Sequence, residues 1–283
     1  MDAFHSLWTK PSGKINSEVY RMEDFEILTL ILSAVTWRKY NGSIRMITDS
    51  VGLDYIFNNN LEGLYDLGVT KELDCIKGID SFLFWAAGKI FALKTIKSPC
   101  VMLDTDFIVW QDIRQYLKND VIAAHEEGLY ESVYPKIDVF KMDKEYIFSS
   151  KWDYSINPAN TAFLYIPSQD FKNYYTGKSI EFMENCYNNK EFPVSSIVSM
   201  CFAEQRILPM CVAEKNLRIG YLLNKDKLNE QNLVTHIWGY KNILRKSKEE
   251  TTRFCKKCVN RIKVDYPEYL YIIENSKELA VYL

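Results

Sequence analysis

Apolar residues along this chain recur at two spacings, and the alternation between them lays out a series of strands and helices. Short apolar runs read as strands at Ala3 to Thr9, Ser43 to Thr48, Pro99 to Leu103, Asp120 to Ala124 and Asn160 to Ile166. Helical spacing runs from Glu18 to Tyr40, where Phe25, Leu28, Ile31, Leu32 and Val35 share a face. Further helices are predicted over Val51 to Asn58, Ser81 to Lys97, Asp112 to Leu117, Asp170 to Tyr187 and Val194 to Leu208. A last strand-like piece ends at Thr235 and His236, and residues 126–156 follow no period. Strands that alternate with helices predict an α/β fold: a mainly parallel central sheet with helices on both faces. Ligands bind such sheets at the carboxyl ends of the strands. Asp49 and Asp104 both stand at such ends. No repeat or Pro/Gly/Ser linker divides the chain, so one domain over residues 1–241 with a helical tail over 242–283 is the simplest organisation.

The net charge of −2 over 283 residues gives no footprint for nucleic acid. The seven cysteines are odd in number and scattered, which argues against a disulfide framework and for a reducing compartment. Cys255 and Cys258 form a lone CxxC with no second pair at zinc spacing, and read as structural. The first residues lack the basic and apolar regions of a signal peptide. The apolar stretch Ile27 to Trp37 is too short to span a bilayer. The expectation is a cytoplasmic protein.

The chemistry begins at Asp104 and Asp106, which interrupt the apolar run from Cys100 to Trp110. In an extended segment residues two apart point to the same side. Two adjacent carboxylates repel, and a divalent cation with oxygen preference, Mn²⁺ or Mg²⁺, removes the conflict. The plain alternative is a strand end with two solvated acids. Three later segments bear on the choice. Thr235 to Lys241 holds an imidazole (His236), a glycine (Gly239) and a cation (Lys241), a set that suits one diphosphate–metal unit. Asn160 and Thr161 put amide and hydroxyl groups at the start of a buried strand, and Glu204 and Gln205 form a polar pair at the end of an apolar helix.

In order along the chain, these segments resemble the GT-A glycosyltransferases that use nucleotide sugars, and among them the glycogenin and lipopolysaccharide galactosyltransferase type. The counterparts are Leu103-Asp104-Thr105-Asp106 for DxD and Asn160-Thr161-Ala162 for N-x-G. Glu204 to Leu208 stands for D-Q-D-x-L, and His236 to Lys241 for H-x-x-G-x-x-K. Ala162 replaces the glycine, Glu204 replaces the first aspartate, and the last motif is one residue shorter. The resemblance implies the Rossmann-like GT-A fold and a metal-dependent transfer from a nucleotide-sugar donor, by default a UDP-sugar, with retention at the anomeric carbon. The acceptor would be a glycan or lipid-linked glycan in bacterial surface polysaccharide synthesis.

The resemblance further implies that Asp104, Asp106 and His236 bind the metal, with Thr105 beside it, and that Gly239 and Lys241 contact the phosphates. Lys89 would lie near the donor. Trp8, Thr9 and Asp49 would lie along the nucleoside. Asn160, Thr161, Glu204 and Gln205 would face the donor sugar and the acceptor. For inverting chemistry, Glu204 would be the candidate base.

Other readings fit less well. A DxD phosphatase needs a later acidic pair on a strand, and a sugar nucleotidyltransferase needs a Gly-rich basic loop, of which Pro11 to Lys14 is a faint echo. A non-catalytic sugar-binding or scaffolding subunit has no need of the metal set. In the tail, Arg245, Lys246, Lys248, Arg253, Lys256, Lys257, Arg261 and Lys263 face only Glu249 and Glu250 over residues 245–263. That excess suits either a solvated helix or peripheral contact with the anionic inner face of a membrane.

Overall fold

The computed structural model describes residues 1–13, 20–187 and 194–283. The predicted strands appear as β1 (Ala3–Leu7), β2 (Ile44–Thr48), β4 (Cys100–Leu103), β6 (Val121–Glu126), β8 (Ala159–Ile166) and β11 (Val234–His236). Sequence patterning missed β3 (Val69–Thr70), β5 (Phe107–Val109), β7 (Lys141–Met142), β9 (Cys186–Tyr187) and β10 (Ile219–Tyr221). The longer helices are α1 (Asp24–Tyr40), α2 (Ser50–Asn58), α3 (Ala87–Thr95), α4 (Gln169–Asn185), α6 (Ile207–Glu214) and α8 (Lys248–Asp265). The shorter α5 (Ser196–Cys201), α7 (Lys241–Lys246) and α9 (Leu270–Glu274) complete the set among the described residues.

Seven strands form the central sheet in the order β10-β6-β8-β4-β1-β2-β3. Strand β8 runs antiparallel to β4 and β6, and the other neighbours are parallel. All eight residues of β8 are buried, as expected for a strand covered on both faces. The two cores follow the pleat. Ala3, Leu7, Val101 and Leu103 face the layer of α1 and α8, while Phe4, Cys100 and Met102 face the layer of α3, α4 and α6.

Three helix expectations change. Ser81 to Ala86 forms turns, with the Asp80 carboxylate taking the amides of Phe82 and Leu83, and regular helix starts only at Ala87. Asp112 grips both the amide and the guanidinium of Arg114, which leaves a single 3₁₀ turn at Arg114–Tyr116. The helix that starts at Ser196 does not end near Leu208. It continues to Glu214 through a π turn at Phe202–Arg206, so Glu204 and Gln205 stand mid-helix, at a distortion often found at functional sites. By length and composition Ser196–Glu214 could cross a membrane, and 72% of its apolar window is buried inside the protein.

The tail packs into the core. Cys255, Cys258, Val259 and Ile262 recur at i, i+3, i+4 and i+7 and lie against α1. That cover explains why α1 is apolar nearly all round.

The segment after β4 departs most from expectation. Asp104 to Asp106 is a turn, not a pleated extension: the Phe107 amide donates to the Asp104 carbonyl at 3.0 Å. The chain then leaves the central sheet, and β5 pairs antiparallel with β11, setting His236 opposite Phe107. A buried polar chain holds this exit. The Ser33 hydroxyl on α1 donates to the Phe107 carbonyl at 2.6 Å, so it can only accept from His5 Nε2, 3.0 Å away. His5 Nδ1 then accepts from the Tyr65 hydroxyl at 3.2 Å. Burial drives the His5 pKa down to about 3, so the ring is neutral.

Ser33→Ala removes the central link and leaves the Phe107 carbonyl and His5 Nε2 without it. Unfolding in urea should show a loss of about 1–3 kcal/mol. A midpoint equal to wild type would mean the chain does not hold β5.

Candidate functional site

The Asp104 amide donates to the Ala162 carbonyl of β8 at 2.8 Å, which anchors the start of the turn to the sheet. The turn and the β5–β11 pairing then bring Asp104, Asp106 and His236 together, with one candidate ligand atom from each within 4.8 Å of the others. Asp106 is only 4% exposed. Its Oδ2 is ion-paired with Lys241 Nζ at 2.9 Å and lies 3.8 Å from His236 Nε2. The carboxylate offers further lone pairs beyond the one Lys241 engages, and they face a second carboxylate and an imidazole as a cation site would need. Burial lowers the His236 pKa below its ordinary value against the pull of Asp106 and Asp104, leaving a neutral imidazole able to ligate. Two carboxylates and one imidazole suit Mn²⁺ or Mg²⁺, so these residues fit the expected metal.

Behind the cluster, Lys89 bridges two carboxylates. Its Nζ is 2.7 Å from Asp104 Oδ1 and also pairs with Glu204. Gly88 makes this reach possible: a Cβ there would stand 2.5 Å from Trp8 Cβ, so only glycine lets α3 come so close to the end of β1. Burial works against the Lys89 ammonium, but Asp104 and Glu204 outweigh it and hold its pKa above the usual lysine value. Burial likewise pushes Asp104 up, and Lys89 outweighs that, so the carboxyl lies below its usual range. Glu204 also accepts from the Thr161 hydroxyl at 2.5 Å, and its carbonyl accepts from Tyr175 at 2.7 Å.

The structure therefore joins Asp104, Asp106, His236, Lys89, Lys241, Glu204 and Thr161 in one network. Thr105 stands partly exposed in the turn between the two aspartates. Gly239 faces open space, since a Cβ there would meet nothing within 4 Å. Asn160 and Gln205 lie to one side: Asn160 donates to Glu127 at 3.4 Å, and Gln205 accepts from the Tyr134 hydroxyl at 2.6 Å. Trp8, Thr9 and Asp49 line a separate cleft of about 350 Å³. There Asp49 is held by the Thr9 amide at 2.8 Å and caps α2 through the Gly52 amide at 2.8 Å.

Sequence reading passed over His125, Glu127, Tyr134 and Lys225. Lys225 Nζ donates to Glu127 at 2.5 Å, and His125 Nδ1 is 3.6 Å from the same carboxylate. The signal was present: His125 and Glu127 stand at the carboxyl end of a strand expected to stop at Ala124.

Lys89→Met would leave the half-buried Asp104 and the buried Glu204 without their shared cation. Denaturant unfolding should show a loss of about 3–5 kcal/mol. Adding Glu204→Gln should recover part of it, and no recovery would mean the loss comes from packing.

Among solved structures, the chain is similar to the glycosyltransferase GlyE of Streptococcus pneumoniae TIGR4, at 14% identity and TM-score 0.36, over 72% of this chain and 44% of that one. It thus spans less than half the length of GlyE. It is also similar to the PaToxG glycosyltransferase, at 10% identity and TM-score 0.35, over 71% of this chain and 68% of that one. A third likeness is to mouse xyloside xylosyltransferase 1, at 8% identity and TM-score 0.38, over 78% and 85% of the two chains. No curated protein matches. The model of DUF6734, a family of unknown function, matches residues 1–276, and the chain belongs to that family.

Proposed function

We propose that this chain is a metal-dependent glycosyltransferase that moves a sugar from a nucleotide-sugar donor, a UDP-sugar by preference, to a glycan or lipid-linked acceptor. The observation that carries the reading is the Asp104–Asp106–His236 cluster, its candidate ligand atoms converging between two lysines. Asp104, Asp106 and His236 would hold Mn²⁺ or Mg²⁺, which when bound supplies Lewis-acid stabilisation of a leaving diphosphate. Lys241, beside Asp106 and two residues after the open space at Gly239, is placed to offset phosphate charge. Lys89 orients Asp104 and Glu204 and favours the ionised Asp104 carboxyl. Glu204, tied to Lys89 and Thr161, is a positioning residue and not a free base. The cleft of Trp8, Thr9 and Asp49, at the carboxyl ends of β1 and β2, is the proposed nucleoside subsite.

Retention at the anomeric carbon and a place in bacterial surface polysaccharide synthesis at the inner face of the membrane rest on the sequence resemblance. The tail supports the membrane part. Its arginines are paired, Arg245 with Glu26, Arg253 with Glu250 and Arg261 with Asp265. Lys246, Lys248, Lys256, Lys257 and Lys263 are exposed, with no carboxylate in ion-pair contact among the described residues.

Melting the protein with UDP or GDP tests the donor site. At about a hundred times its dissociation constant, a nucleotide that binds only the folded state should add roughly 2.7 kcal/mol. The gain should require Mn²⁺ and vanish in Asp106→Asn. A gain unaffected by chelation, or no gain with either nucleotide, would sink the reading.

Reversing Lys248, Lys256, Lys257 and Lys263 to Glu tests the tail. Each basic residue near an anionic surface is worth roughly 1 kcal/mol, so sedimentation with phosphatidylserine vesicles should fall by more than a hundredfold in affinity. Equal sedimentation of wild type and variant would remove the membrane contact.

A further inference from the structure

We infer that His125 takes the proton from the acceptor hydroxyl during transfer, and that the acceptor is a saccharide lying in the groove that runs from His125 past Tyr130; the inference rests on the glycosyltransferase reading above. His125 lies near the carboxyl end of β6, where the pairing with β8 slips between Ala123 and His125. Such slips re-aim side chains beside functional sites.

The side chain is 2% exposed. Its Nδ1 is 3.1 Å from the Glu126 carbonyl oxygen. A carbonyl only accepts, so Nδ1 carries the proton and Nε2 presents a lone pair. Nε2 is buried and has no hydrogen-bond partner. An unpaired buried nitrogen is costly, and a ligand hydroxyl would offset that cost. His5 makes the contrast: it is equally buried, and both its nitrogens are bonded. The Glu127 carboxylate, 3.6 Å from Nδ1, stands ready to stabilise the imidazolium formed on proton uptake. A fixed tautomer, a free lone pair and a flanking carboxylate are what an oriented base needs.

The position agrees. His125 lines a cavity of about 390 Å³ together with His236 and Gly239, so the imidazole shares its space with the candidate metal and phosphate residues. This cavity shares Leu223, Lys225 and Asp226 with a second one of about 560 Å³, so the two lie side by side. The second is bordered by Glu127, Asn157 and the Tyr130 ring, which is 57% exposed. Polar groups beside an exposed aromatic face suit a sugar, whose rings carry apolar faces and hydroxyl edges. In the step, the acceptor oxygen bonds to the anomeric carbon. The bond from that carbon to the diphosphate oxygen breaks, and its electron pair leaves on the diphosphate. The hydroxyl proton passes to His125 Nε2 and then to solvent. The proton balance is the same whichever face of the sugar is attacked.

The test uses the whole chain, with His125→Ala and His125→Gln as variants. The probes are UDP and GDP with Mn²⁺ for binding, and a panel of UDP- and GDP-hexoses with p-nitrophenyl glycosides for nucleoside diphosphate release. Both variants should keep Mn²⁺-dependent nucleotide stabilisation and lose release by about 10²–10⁴-fold. Free imidazole should restore part of the rate in His125→Ala, whose cavity can admit it. Release within threefold of wild type, with nucleotide stabilisation intact, would overturn the role of His125 and leave the glycosyltransferase reading standing. Loss of nucleotide stabilisation in both variants would also overturn it, assigning His125 to the donor side. A wild type that binds no nucleotide would overturn both. Nitrogen-15 NMR of the imidazoles gives a readout free of turnover: His125 should be protonated at Nδ1, and a proton at Nε2 would refute the assignment.

Discussion

Three carboxylates, Asp104, Asp106 and Glu204, converge at the carboxyl edge of the sheet, and two lysines make that convergence tolerable. Like charges brought out of water repel and are costly unless paired. Lys89 spans Asp104 and Glu204, and Lys241 stands against Asp106. With His236 neutral, the three carboxylates and two lysines leave one negative formal charge over. Binding a dication would reverse that excess to a single positive charge, which is the sign a diphosphate needs. The same lysines that stabilise the fold thus bring the site close to balance for a charged pair of ligands.

That balance depends on backbone geometry. Had Asp104 and Asp106 continued the pleat of β4, both would have stayed in the central sheet, away from His236. The turn at Phe107 sends β5 out to pair with β11, and Ser33 holds it against α1. The apolar residues after the second aspartate therefore form a separate two-stranded sheet. It carries one metal candidate just before β5 and another at the end of β11.

Much of this could be read from the sequence, because strands buried on both faces leave long apolar runs and because Asp, His and Lys at their ends are conspicuous. Asp104, Asp106, His236 and Lys241 were found that way, Lys89 only through the family resemblance, and the structure brings them together. What escaped has physical reasons. Strands as short as β3 and β10 leave too few residues to show a period. Asp80 and Asp112 capture nearby amides with their side chains, a local competition that apolar spacing does not report. Phe202–Arg206 gives no hint of a π turn in its composition. His125 was hidden by a strand end placed two residues too early.

The tail was read by its charges, although its spacing held the better signal. Cys255, Cys258, Val259 and Ile262 mark a buried face as clearly as any helix in the chain, and they close the core over α1. Since α1 carries Ser33, which holds the Phe107 carbonyl, α8 supports from behind the same helix that fixes the turn under Asp106. The inner face of α8 is therefore committed to the fold, and only its outer lysines are free to meet a surface. Removing the tail would disturb both roles at once, whereas reversing its lysines changes the outer face and leaves the support of the site in place.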